Sequence, residues 1–91
     1  MKIQESGENY LETILMLEQK NGTVRSIDIA NELEFSKPSV SVAMKKLRTD
    51  SYIEMDDMGL ITLLPKGQEI AQRIYERHTF LEAWLMRLGV A

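Results

Sequence analysis

The stretch from Ser26 to Leu47, SIDIANELEFSKPSVSVAMKKL, is the most informative part of the chain, because it predicts two short helices joined by a tight turn. Ser26 directly precedes an apolar run with helical spacing and is the predicted N-cap of the first of these helices. Asp28 lies in the first turn, where a carboxylate suits the positive end of a helix. The predicted buried face consists of Ile27, Ala30 and Leu33.

The second helix of this stretch is predicted to begin after Ser36, a good N-cap, with Pro38 in the first turn, where proline is tolerated. Its predicted buried stripe consists of Val40, Met44 and Leu47. Between residues 36 and 48 there are four basic side chains and no acidic one. A short helix, a tight turn and a second helix with a polar, basic outer face is the helix-turn-helix pattern of DNA-binding proteins. An ordinary helical hairpin with a solvated basic face is the alternative.

The outer face of the second helix supplies the predicted DNA contacts. Phosphates would be contacted by Lys37, Lys45, Lys46 and Arg48. Base edges would be met by Ser36, Pro38, Ser39 and Val42, with Ser41 on the same face. Val42 is apolar on a face that is otherwise polar, which suits contact with a thymine methyl group.

Composition limits the class of protein. The chain has 91 residues, which is the size of one domain, and 44% of them are hydrophobic, enough for a small core. It contains no cysteine, which excludes disulfides and thiolate metal sites. No membrane span or signal peptide is recognisable, so a cytoplasmic protein is expected. The net charge of −3 is unfavourable for a nucleic-acid binder, but a local basic face still acts over about 8 Å at physiological salt.

The remaining segments predict a winged helix: mainly α-helical, with a small β-hairpin. A first helix within residues 1–22, capped by Ser6 and closed at Gly22, precedes the helix-turn-helix of residues 26–48. Residues 52–63 alternate as two strands around a short loop with glycine, which predicts the hairpin, or wing. A long helix over residues 65–89, with Pro65 at its start, completes the single domain of residues 1–91.

The C-terminal part of the long helix is apolar all round. Its predicted core stripe consists of Ile70, Ile74, Leu81, Leu85 and Leu88. Phe80, Trp84 and Met86 lie off that stripe and are apolar too. A helix that is apolar on every side is buried on every side, so a partner surface is expected here, such as that of a homodimer. The alternative is that Phe80 and Trp84 fold back onto the first helix.

Six segments together resemble a known family. In order they are ENYLETI (8–14), VRSIDIANEL (24–33), SKPSVSVAMKKL (36–47), YIEMDDMGLITL (52–63), PKGQEIA (65–71) and IYERHTFLEAWLMRLGV (74–90). They are similar to the metal-dependent repressors of the diphtheria-toxin-repressor and manganese-transport-regulator type. The resemblance implies an operator-binding homodimer that responds to Mn(II) or Fe(II) and represses metal-uptake genes. Generic winged helices lack the helix before the motif and the final helix.

The same resemblance implies a metal site between the first and last helices, with ligands at Asn9, Glu12, His78 and Glu82. Asn9 stands where relatives carry aspartate or methionine, and a neutral amide is the weaker ligand. The chain ends at Ala91, so the family's dimerisation helices and the ligands they bring are expected to lie outside it. The metal site is therefore expected to be partial. Two further departures are Leu64, which replaces a usual threonine, and the acidic wing tip at Asp56 and Asp57, which disfavours phosphate contact there.

Two functions remain open at this point. The first is a sequence-specific regulator that binds operator DNA. The second is a winged-helix interaction module that docks through its apolar C-terminal helix. An enzyme is not expected, because the single histidine has no neighbouring nucleophile and the chain has no glycine loop that could cradle a phosphate.

Overall fold

The computed structural model describes residues 5–87, and side chains from residue 7 onward. Over this range the helices are α1 (Glu5–Asn21), α2 (Ser26–Leu33), α3 (Lys37–Thr49) and α4 (Pro65–Arg87). The strands are β1 (Ile53–Met55) and β2 (Ile61–Leu63), which pair antiparallel. This is the predicted winged helix-turn-helix, with an additional helix before the motif and a long helix after it. None of the described helices is both long enough and apolar enough to cross a membrane.

Helix α1 ends where the sequence predicts and begins earlier. Gly22 has φ 84°, and its backbone N–H donates to the carbonyl of Glu18 at 2.8 Å. Glycine adopts this left-handed conformation without steric cost, so it closes the helix. The prediction that Ser6 caps the helix is wrong, because the helix already includes Glu5.

Two predictions for helix α2 are wrong. Its N-cap is Arg25 and not Ser26, because the Asp28 carboxylate accepts a hydrogen bond from the Arg25 N–H at 2.9 Å and so moves the helix start one residue back. The buried isoleucine is Ile29, which is fully buried, whereas Ile27 is 38% exposed. Ala30 is buried as predicted, and Leu33 packs partly buried against the core.

Helix α3 matches its prediction closely. The Ser36 side chain accepts from the N–H of Ser39, and Pro38 lies in the first turn. The stripe of Val40, Met44 and Leu47 is buried. The remaining side chains of α3 face outward or lie at its edges, so the core fixes which face this helix presents.

Each strand of the wing is one residue shorter than predicted. Tyr52 and Leu60 fall outside the strands, and Ile53 pairs with Leu63. The Ile61 N–H donates to the carbonyl of Val24 at 2.8 Å, which ties the wing to the segment before α2. The wing is thus anchored directly to the helix-turn-helix.

Helix α4 is divided into a packed half and an exposed half. Its first half packs against α1, with Ala71 and Ile74 buried and Ile70 partly buried. The prediction of a continuous core stripe is wrong beyond Ile74, because Leu81 is 48% and Leu85 43% exposed. Leu88 lies outside the described residues.

The predicted alternative, in which the aromatic residues of α4 fold back onto α1, is also wrong. Phe80 is 69% exposed and Trp84 is 50% exposed. We call the exposed apolar set on α4 the apolar tail; it consists of Phe80, Leu81, Trp84, Leu85 and Met86.

Candidate nucleic-acid interface and metal-ligand pair

Helix α3 presents one continuous exposed face. Successive side chains turn by about 100° around a helix, so the buried stripe defines the side directed away from the protein. Opposite that stripe lie Pro38 and Val42, and Val42 is 70% exposed. All nine side chains predicted to contact DNA are exposed: Ser36, Lys37, Pro38, Ser39, Ser41, Val42, Lys45, Lys46 and Arg48. Their contact with DNA remains a prediction.

A cleft runs along one flank of α3. Its first part, of about 270 Å³, is lined by Ser26, Ile27, Lys37 and Ser41. Its second part, of about 320 Å³, is lined by Ser26, Ser41, Met44, Lys45, Arg48 and Met55. Because Ser26 and Ser41 border both parts, the two parts are adjacent, and together they lie between the start of α2, the flank of α3 and the wing. We call it the flank cleft.

The charges of α3 divide between two flanks. Lys37, Lys45 and Arg48 border the flank cleft. Because successive side chains turn by about 100° around a helix, Lys46 and Ser39 lie on the opposite flank. From Lys37 to Lys45 the helix rises about 12 Å, which is enough to follow several phosphates of one strand. No acidic residue interrupts this row on α3.

The wing tip carries a structured acidic turn. The Oδ1 atom of Asp56 accepts hydrogen bonds from the N–H groups of Met58 and Leu60, each at 2.9 Å. Gly59 supplies the positive φ that the turn requires. Asp56 therefore has a local structural role, and Asp57 remains an exposed acid beside it. Both charges are unfavourable for a phosphate contact at this tip.

Sequence reasoning missed two side chains near α3. Helical spacing predicts that Ile27 lies in the core, but in the structure it borders the flank cleft. Phe35, in the turn, packs edge to face on Tyr10 of α1 with ring centroids 5.9 Å apart. An aromatic pair of this kind contributes about 0.5–1.5 kcal/mol beyond its buried area, so it helps to hold the turn against α1. Aromatic residues at positions 10 and 35 were the available signal, but their separation in sequence concealed the contact.

Glu12 and His78 converge from the two helices that the family resemblance implicates. The Nδ1 atom of His78 lies 2.7 Å from Oε2 of Glu12, where the ring N–H donates to the carboxylate. The Glu12 side chain is 13% exposed and the His78 side chain 57% exposed. This contact joins α1 to α4 at the point where the packed half of α4 gives way to the exposed half.

Neither of the other two implied ligands is hydrogen-bonded to this pair in the part of the chain that the structure describes. Asn9 and Glu82 are both exposed. Among the residues whose side chains are described, no three His, Cys, Asp or Glu side chains come together as a metal-binding group. Imidazole and carboxylate suit Mn(II) or Fe(II), so the pair fits these metals in donor chemistry, but it supplies only two donors.

Comparison with known proteins identifies a family model and a curated relative that are similar to this chain. A family model described as the iron-dependent repressor, N-terminal DNA-binding domain, matches residues 2–59. The HTH-type transcriptional regulator MntR of Geobacillus kaustophilus is 37% identical over 86 residues, which cover 94% of this chain and 61% of the relative. The chain thus spans about three-fifths of the length of that curated relative.

Solved structures share the fold. The crystal structure of IdeR from T. acidophilum superposes with a TM-score of 0.81 at 29% identity, covering 96% of this chain and 40% of that one. ZitR of Lactococcus lactis, solved in complex with DNA, superposes with a TM-score of 0.77 over 98% of this chain and 62% of its own. At 21% identity ZitR shows likeness of fold alone. The family model matches residues 2–59, and the curated relative is a transcriptional regulator. This chain therefore belongs to the iron-dependent repressor family and matches the N-terminal DNA-binding domain of that family.

Proposed function

We propose that this chain is the operator-binding part of a metal-responsive transcription regulator, which binds duplex DNA with α3 in the major groove. The observation that carries the proposal is the exposed face of α3, which has four basic side chains, no acid and the apolar Val42 at its outermost point. Basic side chains neutralise phosphates, and base edges in the major groove specify sequence. Such a regulator would act in the cytoplasm and repress genes of metal uptake.

The proposed DNA contacts differ between the two flanks and the centre of the exposed face of α3. Lys37, Lys45 and Arg48 would follow the phosphates of one strand along the flank cleft. Val42 and Pro38, at the centre of the face, would lie over base edges. Lys46, on the opposite flank, would reach the other strand or a guanine edge, since lysine serves both kinds of contact.

A mobility-shift assay with random duplex fragments tests this function. Binding that prefers a subset of fragments and weakens as salt rises would support the proposal. An absence of retarded complexes at micromolar protein and low salt would contradict it.

Replacement of Val42 by alanine is expected to reduce sequence discrimination while leaving non-specific affinity intact. Val42 is 70% exposed, so the change removes little from the core. Loss of a thymine-methyl contact should cost about 1 kcal/mol or more at one A·T pair. Competitive binding with operator variants measures this cost. A uniform loss over every sequence would assign Val42 a role in folding.

The apolar tail is the proposed homodimer surface. An exposed apolar group of this size marks an interaction site in a small protein, and a two-fold dimer uses the same surface on both copies. Two recognition helices entering successive major grooves on one face of DNA would require half-sites about 34–36 Å apart.

The tail also favours a second function, that of an interaction module that docks on another protein. One observation distinguishes the two functions, namely whether the chain binds DNA. The regulator requires DNA binding through α3, whereas the module requires only the tail.

Mn(II) or Fe(II) is the proposed metal, with Glu12 and His78 as two of its ligands. When bound, the metal would supply a cross-link between α1 and α4. Asn9 and Glu82 would be two further ligands, and because an octahedral site requires about six, the four residues together would still leave it incomplete.

This chain by itself is expected to bind Mn(II) only weakly, and its DNA affinity should change little with metal. Isothermal titration at pH 7.5 measures the binding, with His78→Ala as the matched variant. Micromolar or tighter binding that disappears in His78→Ala would contradict the expectation, because two convergent ligands would then be sufficient.

A further inference from the structure

Ile27 is an apolar side chain that lies beside the exposed face of α3 and is only partly covered by the rest of the fold. It is 38% exposed, while its neighbour Ile29 supplies the buried isoleucine of α2. It lines the flank cleft together with Ser26, Lys37 and Ser41. Two of these four residues, Lys37 and Ser41, belong to the predicted DNA-contact set.

The position of Ile27 determines which part of DNA it could reach. In a helix-turn-helix the second helix enters the groove and the first crosses the backbone. Ile27 lies on that first helix, at its N-terminal end, and shares the cleft with Lys37. An apolar side chain flanked by a lysine and two serine hydroxyls matches a deoxyribose whose neighbouring phosphate contacts the polar groups.

We propose that Ile27 packs against a deoxyribose of the DNA backbone and thereby strengthens binding to every sequence equally. The inference rests on the proposed DNA-binding function and adds a contact from α2 to those of α3. The contact involves no charge, so it contributes affinity without releasing counterions. The sugar is common to all nucleotides, so it contributes no sequence preference.

Two substitutions test the proposal, and each is expected to change a different property of DNA binding. Ile27→Ala should weaken operator and non-specific DNA alike, by about fivefold, with an unchanged slope of log affinity against log salt. Ile27→Lys should steepen that slope by about 0.9, because it places a new charge beside a phosphate.

Met16→Lys is the matched control. Met16 is also apolar and exposed, at 48%, but it lies in a separate groove with Leu33 and Tyr75. Both lysine variants change the net charge equally, so any difference in salt slope reports the position of the charge. Urea midpoints of all three variants should first be compared with that of the parent chain; if Ile27→Lys does not fold, Ile27→Ala decides.

The outcomes separate this inference from the function on which it rests. A parent chain that binds with a steep salt slope, together with an Ile27→Lys slope no steeper than that of Met16→Lys, overturns the role of Ile27 and leaves the regulator intact. Full affinity in Ile27→Ala overturns it as well. A parent chain that does not bind DNA overturns both.

Discussion

Replacement of Gly67 by alanine is expected to destabilise the domain by about 3 kcal/mol, although alanine is normally the better helix former by about 1 kcal/mol. Gly67 is buried at the start of α4, and a Cβ atom there would fall well inside van der Waals contact of the Tyr52 carbonyl oxygen. That carbonyl also accepts a hydrogen bond from the Leu64 N–H at 3.0 Å. It cannot retreat without losing this bond, so the clash must separate α4 from the start of the wing.

Urea denaturation followed by circular dichroism measures the loss. Gly22→Ala is the control, because the space around Gly22 is open and only its positive φ, 84°, opposes a side chain. That strain should cost about 1–2 kcal/mol. A Gly67→Ala protein at least as stable as the parent would show that α4 does not approach Tyr52 as closely as described.

Lys45→Ala is expected to weaken DNA binding by about tenfold or more on every sequence, because it removes a charge-assisted contact to phosphate. The slope of log affinity against log salt should fall by about 0.9 for each phosphate that is no longer neutralised. Lys45 borders the flank cleft together with Arg48, which places it within the row of basic side chains. Fluorescence anisotropy at several salt concentrations measures both quantities.

Lys20→Ala controls for the change in net charge. Lys20 is exposed at the end of α1, in the groove lined by Met16 and Tyr75, outside the flank cleft. An identical reduction of the salt slope in the two variants would mean that net charge alone governs binding. An unchanged slope in Lys45→Ala would remove this residue from the interface.

Local signals made the helix-turn-helix and the wing predictable from the sequence. The Ser36 cap and the proline in the first turn position α3, and the spacing of Val40, Met44 and Leu47 sets its buried side. In the wing, strand alternation and the turn at Gly59 give the hairpin to within a residue. In both segments the residues that determine the structure are neighbours in sequence.

Tertiary packing determines the features that could not be predicted from the sequence. Helical spacing in α2 accommodates either Ile27 or Ile29 as the inward side chain, and only the position of the neighbouring helices selects Ile29. In α4 the apolar spacing continues through Leu81 and Leu85, but in the part of the chain that the structure describes these side chains are 48% and 43% exposed, so no neighbouring element fully covers them. Periodicity reports which residues share a face and does not report what covers that face.

The candidate site was predictable to different extents in its two parts. The basic face of α3 follows from charge and helical spacing alone. The Glu12–His78 contact joins residues 66 positions apart, and only the family resemblance indicated it. Neither charge and helical spacing nor the family resemblance indicated Ile27, because an isoleucine in the first turn of an amphipathic helix resembles any other core residue.

Binding of DNA by α3 can be observed residue by residue in an amide ¹H–¹⁵N NMR titration of this chain with duplex DNA selected from a random pool. We expect the largest shifts in residues 36–48 and around Ser26 and Ile27, with smaller shifts at the acidic wing tip. Shifts confined to the apolar tail, or absent from α3 at saturating DNA, would contradict the claim that α3 is the DNA-binding element.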